Sequence, residues 1–222
     1  MSSERALILA AAAAIGLASA AAAQSAAPER DCTVPPGQEL VNVRRLDRSI
    51  RVDLRYATRH NFTGQRLPGY DVKLALLHPD AAAALARVQA RLRTEGLGLK
   101  IFDAYRPVRA TLAMVDWAQR SGNVWVLDQG YVARQSGHNL GITVDLTLVS
   151  RHSGEELAMG TPFDTFSDAA HTANATGAIL ANRMKLKDAM EAEGFANYDK
   201  EWWHYRYRGD PPPLDVPLSC FR

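Results

Sequence analysis

Two short stretches carry side chains whose types and spacing suit one metal centre. The first runs Ser136-Gly137-His138-Asn139-Leu140-Gly141-Ile142-Thr143-Val144-Asp145, the second Glu201-Trp202-Trp203-His204. His138, Asp145 and His204 offer two imidazoles and a carboxylate, and Glu201 is left over. Three protein ligands with an open fourth position is how a catalytic zinc is held; a structural zinc is closed by four. The spare carboxylate is what a zinc hydrolase uses to take a proton from water. Each stretch also has a plainer reading. The first is a turn histidine and a strand aspartate with ordinary partners. The second is an aromatic core strand with a buried histidine.

The metal reading makes demands on local structure. Ile142, Val144, Leu146 and Leu148 alternate with Thr143, Asp145 and Thr147, the period of a strand. Asp145 then shares a polar face with Thr143, which could touch the metal's surroundings. Gly137 and Gly141 let the preceding turn fold His138 back towards Asp145. A three-residue spacing on a regular strand would aim Glu201 and His204 at opposite faces. Glu201 must therefore sit in a turn before the strand, for which Asp199-Lys200 serves, with Trp202, Trp203 and Tyr205 packed around it. Arg106 stands in Asp103-Ala104-Tyr105-Arg106-Pro107, between a predicted strand and a helix opened by proline. It could stabilise an oxyanion there, or cap a carboxylate structurally.

The rest of the chain supplies the scaffold. Of the 222 residues, 1–23 read as a secretory signal: Arg5, an apolar run from Ala6 to Leu17, then Ala21-Ala22-Ala23 before Gln24. An uncut membrane anchor is the alternative, although the run is short and alanine-rich. Residues 24–38 read as a flexible lead-in, and 39–222 as a single catalytic domain. Asp53 to Tyr56 alternates as a short strand, followed by a polar loop to Gly64. Helices are predicted over 79–95 (Leu85, Val88 and Leu92 inward, Gly96 as stop), from Pro107 to about Arg120 (Val108, Leu112 and Val115 inward), and over 175–193 (Ile179, Leu186 and Met190 inward). Leu97 to Phe102 is a strand, 150–172 a polar loop suited to an active site, and Phe195 to Tyr207 the final strand region. Strands and helices do not alternate regularly, and no glycine-rich phosphate loop follows a strand, so the fold class is α+β.

In an exported protein the two cysteines, Cys32 and Cys220, could bridge and clamp the N-terminal arm to the tail; two free thiols are the alternative. The formal charge of +2 and the scattered basic residues exclude a nucleic-acid partner. No second apolar run approaches membrane-spanning length, so no stable insertion follows signal cleavage.

These motifs together resemble the zinc D-alanyl-D-alanine dipeptidases of the peptidase M15 family, which includes the enzyme of vancomycin resistance. The family pattern Ser-x-His-x-x-Gly-x-Ala-x-Asp, then Glu-x-x-His, is met from Ser136 to Asp145 and Glu201 to His204, with Thr143 in place of Ala. Further matches are Tyr56-Ala57-Thr58, Asn61-Phe62-Thr63-Gly64, Tyr105-Arg106-Pro107, Asp145-Leu146-Thr147-Leu148, Met159-Gly160, Phe163-Asp164 and His204-Tyr205. The likeness spans about residues 40–208. It implies a mostly antiparallel central sheet flanked by helices, the zinc fold of DD-peptidases and hedgehog domains. It implies one zinc on His138, Asp145 and His204, Glu201 as general base, Arg106 on the oxyanion, and Tyr56, Ser136 and Asp164 around the substrate's ammonium. A carboxylate is the natural counter-ion for a charged N-terminus. His60, His78, His152 and His171 have no match and read as surface or structural.

The implied activity is hydrolysis of a small substrate, D-alanyl-D-alanine, to two D-alanines. With the export signal, the expected place is the periplasm and the expected role wall-precursor scavenging or turnover. A DD-carboxypeptidase or peptidoglycan endopeptidase with the same centre is the alternative. A catalytically silent binding module on the same zinc fold is a third, disfavoured by the intact Glu201.

Overall fold

A computed structural model describes residues 32–221; the expected signal, residues 1–23, and the start of the expected lead-in lie outside the described residues. In chain order the elements are β1 (Val41–Asn42), α1 (Val43–Leu46), β2 (Arg51–Val52), β3 (Leu76–Leu77), α2 (Pro79–Arg93), β4 (Leu97–Asp103), α3 (Val108–Arg120), α4 (Trp125–Asp128), β5 (Thr143–Ser150), α5 (Gly177–Glu191), β6 (Phe195–Asn197) and β7 (His204–Tyr207). The main sheet has the order β2-β4-β5-β7-β6, and β1 pairs separately with β3. Only the β2–β4 pairing in the main sheet is parallel. The expected α+β class with a mostly antiparallel sheet is borne out.

The centre of the sheet is β5, rich in β-branched residues that suit a pleated surface. Its expected polar face is as deeply buried as its apolar one: Thr143, Asp145 and Thr147 lie in the core with Val144, Leu146 and Leu148. The sheet is covered in part by α2 and α5, which touch each other and the strands. α2 begins with Pro79 at its first turn, where proline's missing N–H is no loss. Arg91 and Arg93 in its last turn complement the helix dipole. Gly96, at φ +72°, turns the chain back into β4.

Three local expectations differ from the structure. Asp53–Tyr56 is not a strand; β2 is Arg51–Val52, and Arg55–Ala57 is a 3-10 turn. That turn drives Tyr56 inward against Phe62, Tyr70 and Phe163. On α3 the buried residues are Ala110, Thr111, Met114 and Ala118, while Leu112 is 58% exposed. The small residues allow close approach, and Thr111 is claimed by a hydrogen bond from Asn139 Nδ2 at 3.0 Å. On α5, Leu186 and Met190 are buried, but Ile179 is only half-buried and Arg183 is buried with them. Phe195 to Tyr207 is a hairpin, β6 and β7 joined by a turn that contains Glu201. Among the described residues no helix is long and apolar enough to cross a membrane.

Candidate active site

Sheet register assembles the centre. Asp145 on β5 pairs directly with His204, the first residue of β7. On its other side Asp145 pairs with Asp103, the last residue of β4, where the register shifts between Ile101 and Asp103. Register partners point to the same face, so Asp103, Asp145 and His204 form a row across three strands. His138 joins them from a 3-10 turn, Gly137–Leu140, capped by the Ser136 side chain. Gly141 closes that turn in the left-handed region at φ +67°. Gly137 is needed for space, since a Cβ there would come within 2.5 Å of Thr143 Oγ1. The Thr143 hydroxyl therefore faces the turn backbone.

The ligand atoms converge. His138 Nε2 lies 3.3 Å from Asp145 Oδ2 and 3.4 Å from His204 Nδ1, and His204 Nδ1 lies 2.9 Å from Asp145 Oδ1. A tetrahedral ion with bonds of about 2.0–2.1 Å keeps its ligand atoms roughly 3.3 Å apart; the two imidazole nitrogens stand at about that separation, and one Asp145 oxygen faces each of them. His138 Nδ1 is 2.7 Å from the Ala104 carbonyl oxygen, which can only accept. The proton therefore sits on Nδ1, and Nε2 presents its lone pair to the centre of the triad. Two imidazoles and a carboxylate are a donor set that suits zinc.

Charge gives a second test of the fit. Asp103, Asp145 and Glu201 are buried, and Asp164 is half-buried beside them. All four act on one guanidinium, Arg106. Burial opposes the Asp145 charge, but His138 and His204 hold its carboxyl well below the usual range. Burial, with the Asp145 charge, pushes Glu201 and Asp164 well above it. Burial also lowers His204, which favours the neutral imidazole that a metal requires. A divalent cation at the triad is the charge that would let the neighbouring carboxyls ionise.

Glu201 sits in the β6–β7 turn, as the spacing argument required. Its Oε2 is 3.5 Å from His204 Nδ1. Arg106 donates from Nε and Nη2 to Asp103 Oδ2 at 3.0 and 2.8 Å, and its Nη2 is 3.9 Å from Asp145 Oδ2. The guanidinium lies 5.0 Å over the Tyr56 ring. Tyr56 donates its hydroxyl to Asp164, 2.9 and 3.1 Å from the two oxygens. Asp164 is held at φ +61°, in the left-handed region, by a loop whose Phe163 stacks on Phe102. Ser136, Tyr56, Arg106, Asp164, Glu201 and the three ligand residues all line one cavity of about 280 Å³. That volume is near the lower end of small-molecule sites, roughly 300–1,000 Å³.

Three contributors had no role in the sequence reading. Asp103 orients Arg106 and lies 3.4 Å from His138 Nδ1; it stood in the Asp-Ala-Tyr-Arg-Pro stretch without any local mark. Tyr70 donates to Asp103. Tyr131 lines the cavity and bonds His171 at 3.1 Å. Cys32 and Cys220 form a disulfide.

The family described as "Peptidase_M15: D-ala-D-ala dipeptidase" matches residues 37–222. The chain is 38% identical to a D-alanyl-D-alanine dipeptidase of Streptomyces coelicolor, over 77% of this chain and 93% of that one. It is 36% identical to one of Enterococcus faecium, with the same coverage. It is 34% identical to one of Escherichia coli, over 82% of this chain and 93% of that one. A solved zinc-bound D,D-pentapeptidase of vancomycin resistance is similar over 61% of this chain and 74% of that one, at 17% identity and a TM-score of 0.38. The family match and the extent of the dipeptidase relatives show that the chain belongs to the peptidase M15 family of D-alanyl-D-alanine dipeptidases and is a peptidase.

Proposed function

We propose that the protein is a zinc-dependent dipeptidase that hydrolyses D-alanyl-D-alanine to two D-alanines. The observation that carries this reading is one small cavity lined by Asp164 and Tyr56 together with His138, Asp145, His204, Glu201 and Arg106. A cavity of about 280 Å³ suits a substrate as small as a dipeptide, with its ammonium at Asp164. His138 Nε2, Asp145 and His204 Nδ1 would hold the zinc. When bound, zinc polarises the scissile carbonyl and lowers the pKa of water towards about 7.

The chain's own residues do the rest. Glu201 takes the proton as water oxygen adds to the amide carbon. Arg106, fixed by Asp103 and by the Tyr56 ring, meets the negative charge that develops on the carbonyl oxygen. As the C–N bond breaks, Glu201 returns that proton to the departing amine. The Asp164 carboxylate, with its Tyr56 donor, holds the substrate ammonium throughout. The relatives named D-alanyl-D-alanine dipeptidase support the substrate.

A second reading, cleavage of longer wall peptides, draws on one feature. A wider groove of about 830 Å³ adjoins the cavity through Ser136, Gly137 and His204. Parallel assays of the zinc-loaded protein on D-alanyl-D-alanine, its N-acetyl derivative and a pentapeptide muropeptide separate the two. The dipeptidase reading expects turnover of the free dipeptide alone. Comparable kcat/KM on the muropeptide would overturn it.

The export signal carries the place and role we propose: a periplasmic enzyme that scavenges or turns over dipeptide from wall precursors. Fractionation of cells checks the first part; activity confined to the cytosol would sink it.

A further inference from the structure

Arg183 does not line the cavity, yet it is among the largest fully buried side chains of the protein. No ion-pair partner stands within 4.0 Å of it among the described residues. Its guanidinium instead donates to three backbone carbonyls: Nε to Met159 at 2.8 Å, Nη1 to His171 at 2.7 Å and Nη2 to Ala169 at 2.9 Å. Burying a charge without a counter-charge is expensive. An apolar residue would fill the same place on α5 at lower cost. The planar fork does something an apolar residue cannot: it makes several donations in fixed directions at once.

Those three carbonyls belong to the two stems of one loop. Met159 is on the stem that enters it, Ala169 and His171 on the stem that leaves. Between them run Phe163, Asp164 and Phe166, all against the cavity or the aromatic residues around it. The fit around the fork is tight. Gly160 is in the left-handed region at φ +84°, and a Cβ there would come within 2.8 Å of Ile179 Cγ2 and 3.2 Å of Arg183 Nη2. Neighbouring contacts brace the same loop: Asn182 Nδ2 donates to Ala158 O at 2.9 Å, and Trp202 Nε1 to Thr161 Oγ1 at 2.8 Å. Asp164 stands in the left-handed region, where an L-residue with a Cβ pays a steric cost that the surrounding loop has to hold.

We propose that Arg183 is a positioning residue for substrate recognition: by joining the stems of the 159–171 loop, it sets Asp164 in the cavity, where it receives the substrate's ammonium. This rests on the reading of Asp164 as counter-ion. Arg183 touches neither substrate nor metal, so its removal should weaken ground-state binding and leave both the metal and the chemical step in place.

The test is a double-mutant cycle on the zinc-loaded protein, with Arg183→Met, Asp164→Asn and the pair. Arg183→Met should raise KM for D-alanyl-D-alanine about tenfold while kcat falls less than roughly threefold, the pattern of lost uniform binding. Zinc content should stay at the wild-type level. In the Asp164→Asn background the same change should add less than about twofold, since residues acting through one group do not multiply. Arg183→Lys keeps the charge but gathers its donors on one nitrogen and loses the planar fork; it should fall between wild type and Arg183→Met, and it carries the test where the Met variant does not fold. An unchanged KM in a folded Arg183 variant would overturn the proposal. So would effects of Arg183 and Asp164 that multiply in full, or a loss of zinc. If Asp164→Asn alone leaves KM unchanged, it is the counter-ion reading that fails, and this is seen without reference to Arg183.

Discussion

Asp103 and Arg106 are bound through a single oxygen: Asp103 Oδ2 accepts from both Nε and Nη2 of the guanidinium, at 3.0 and 2.8 Å. Both side chains are buried, and the register shift at the end of β4 brings Asp103 beside Asp145. Asp103 thus fixes the guanidinium that, in the proposed mechanism, meets the oxyanion. It also stands behind His138, 3.4 Å from the Nδ1 that is turned away from the ligand triad. Asp103→Asn leaves an oxygen in place but removes the charge opposite Arg106. We expect kcat to fall roughly 10- to 100-fold, the usual effect of losing such support. Breaking a buried pair from one side costs about 3–5 kcal/mol at its upper range, so the urea midpoint should fall as well. A variant with unaltered kcat would show that Arg106 needs no such holder.

Glu201 is the one carboxylate in the cavity with no assigned ligand or anchoring role. Glu201→Ala should keep zinc, measured by metal analysis, because His138, Asp145 and His204 are untouched. Turnover should fall by about 10²- to 10⁴-fold, the typical worth of a positioned general base. Loss of zinc together with activity would instead make Glu201 a ligand.

The crowding of carboxyls makes a prediction about the metal-free protein. Glu201 and Asp164 have folded-state pKa values well above their ordinary ones. The folded state therefore binds more protons than the unfolded state between the ordinary and raised values, and stability falls as pH rises through that window. His204 works the other way, because burial lowers its pKa, but only below its ordinary value of 6.5. Above pH 6.5, then, where His204 does not oppose them, acidification through the raised carboxyl values should increase Tm of the chelated protein. With zinc bound, the cation shifts the carboxyls towards their ionised forms and the slope should flatten. Thermal melts at several pH values, with and without chelator, give both slopes; a chelated protein that loses Tm over that range contradicts the charge argument.

Tyr56 tunes the Asp164 carboxyl. Burial raises the Asp164 carboxyl most, and the Tyr56 hydroxyl works against that rise. Tyr56→Phe removes the donor, so Asp164 should be ionised less often at neutral pH. A hydrogen bond to a charged group is worth about 1.5–3 kcal/mol, so KM should rise by about tenfold or more. The increase should be larger at lower pH, where a neutral Asp164 is more abundant, and a KM profile against pH reads it directly.

The candidate metal-binding group His138, Asp145 and His204 is legible because its evidence is local: residue types, two spacings and the rule that strand neighbours three apart face opposite ways. That rule alone places Glu201 in a turn ahead of the strand, where it is found. Residues whose roles depend on partners distant in sequence were not legible. Asp103 looks like any strand-end carboxylate until the shift in β4 sets it beside Asp145. On α3, apolar residues fall on several sides, and the buried face was decided by Asn139 reaching for Thr111, which no periodicity reports. Arg183 reads as a solvent-facing charge on α5, because its partners are carbonyls 12 to 24 residues earlier in the chain. Tyr56 sits in a 3-10 turn because its ring has a pocket of aromatic neighbours to enter, again a tertiary cause.

The C-terminal tail gives the last prediction. Cys32 and Cys220 are 188 residues apart in sequence, and closing so long a loop removes much of the unfolded chain's freedom. The chain-entropy estimate for a loop of this size is about 5 kcal/mol. The tail also reaches the active site through the backbone. Tyr105 donates to carbonyls of Leu214 and Val216 and accepts from the Val216 N–H. Leu214 N donates to Asn139 O at 2.9 Å, and Asn139 Nδ2 donates to Arg106 O at 2.8 Å. The tail thus braces both the Arg106 segment and the turn that carries His138. Cys32→Ser with Cys220→Ser should lower the urea midpoint substantially. Under fully native conditions it should change kcat little, because those hydrogen bonds do not need the bridge. Near the new midpoint, activity should be lost together with global structure, in one transition. A loss of activity well before unfolding would mean that the bridge, and not the tail's own hydrogen bonds, holds the Arg106 segment in place.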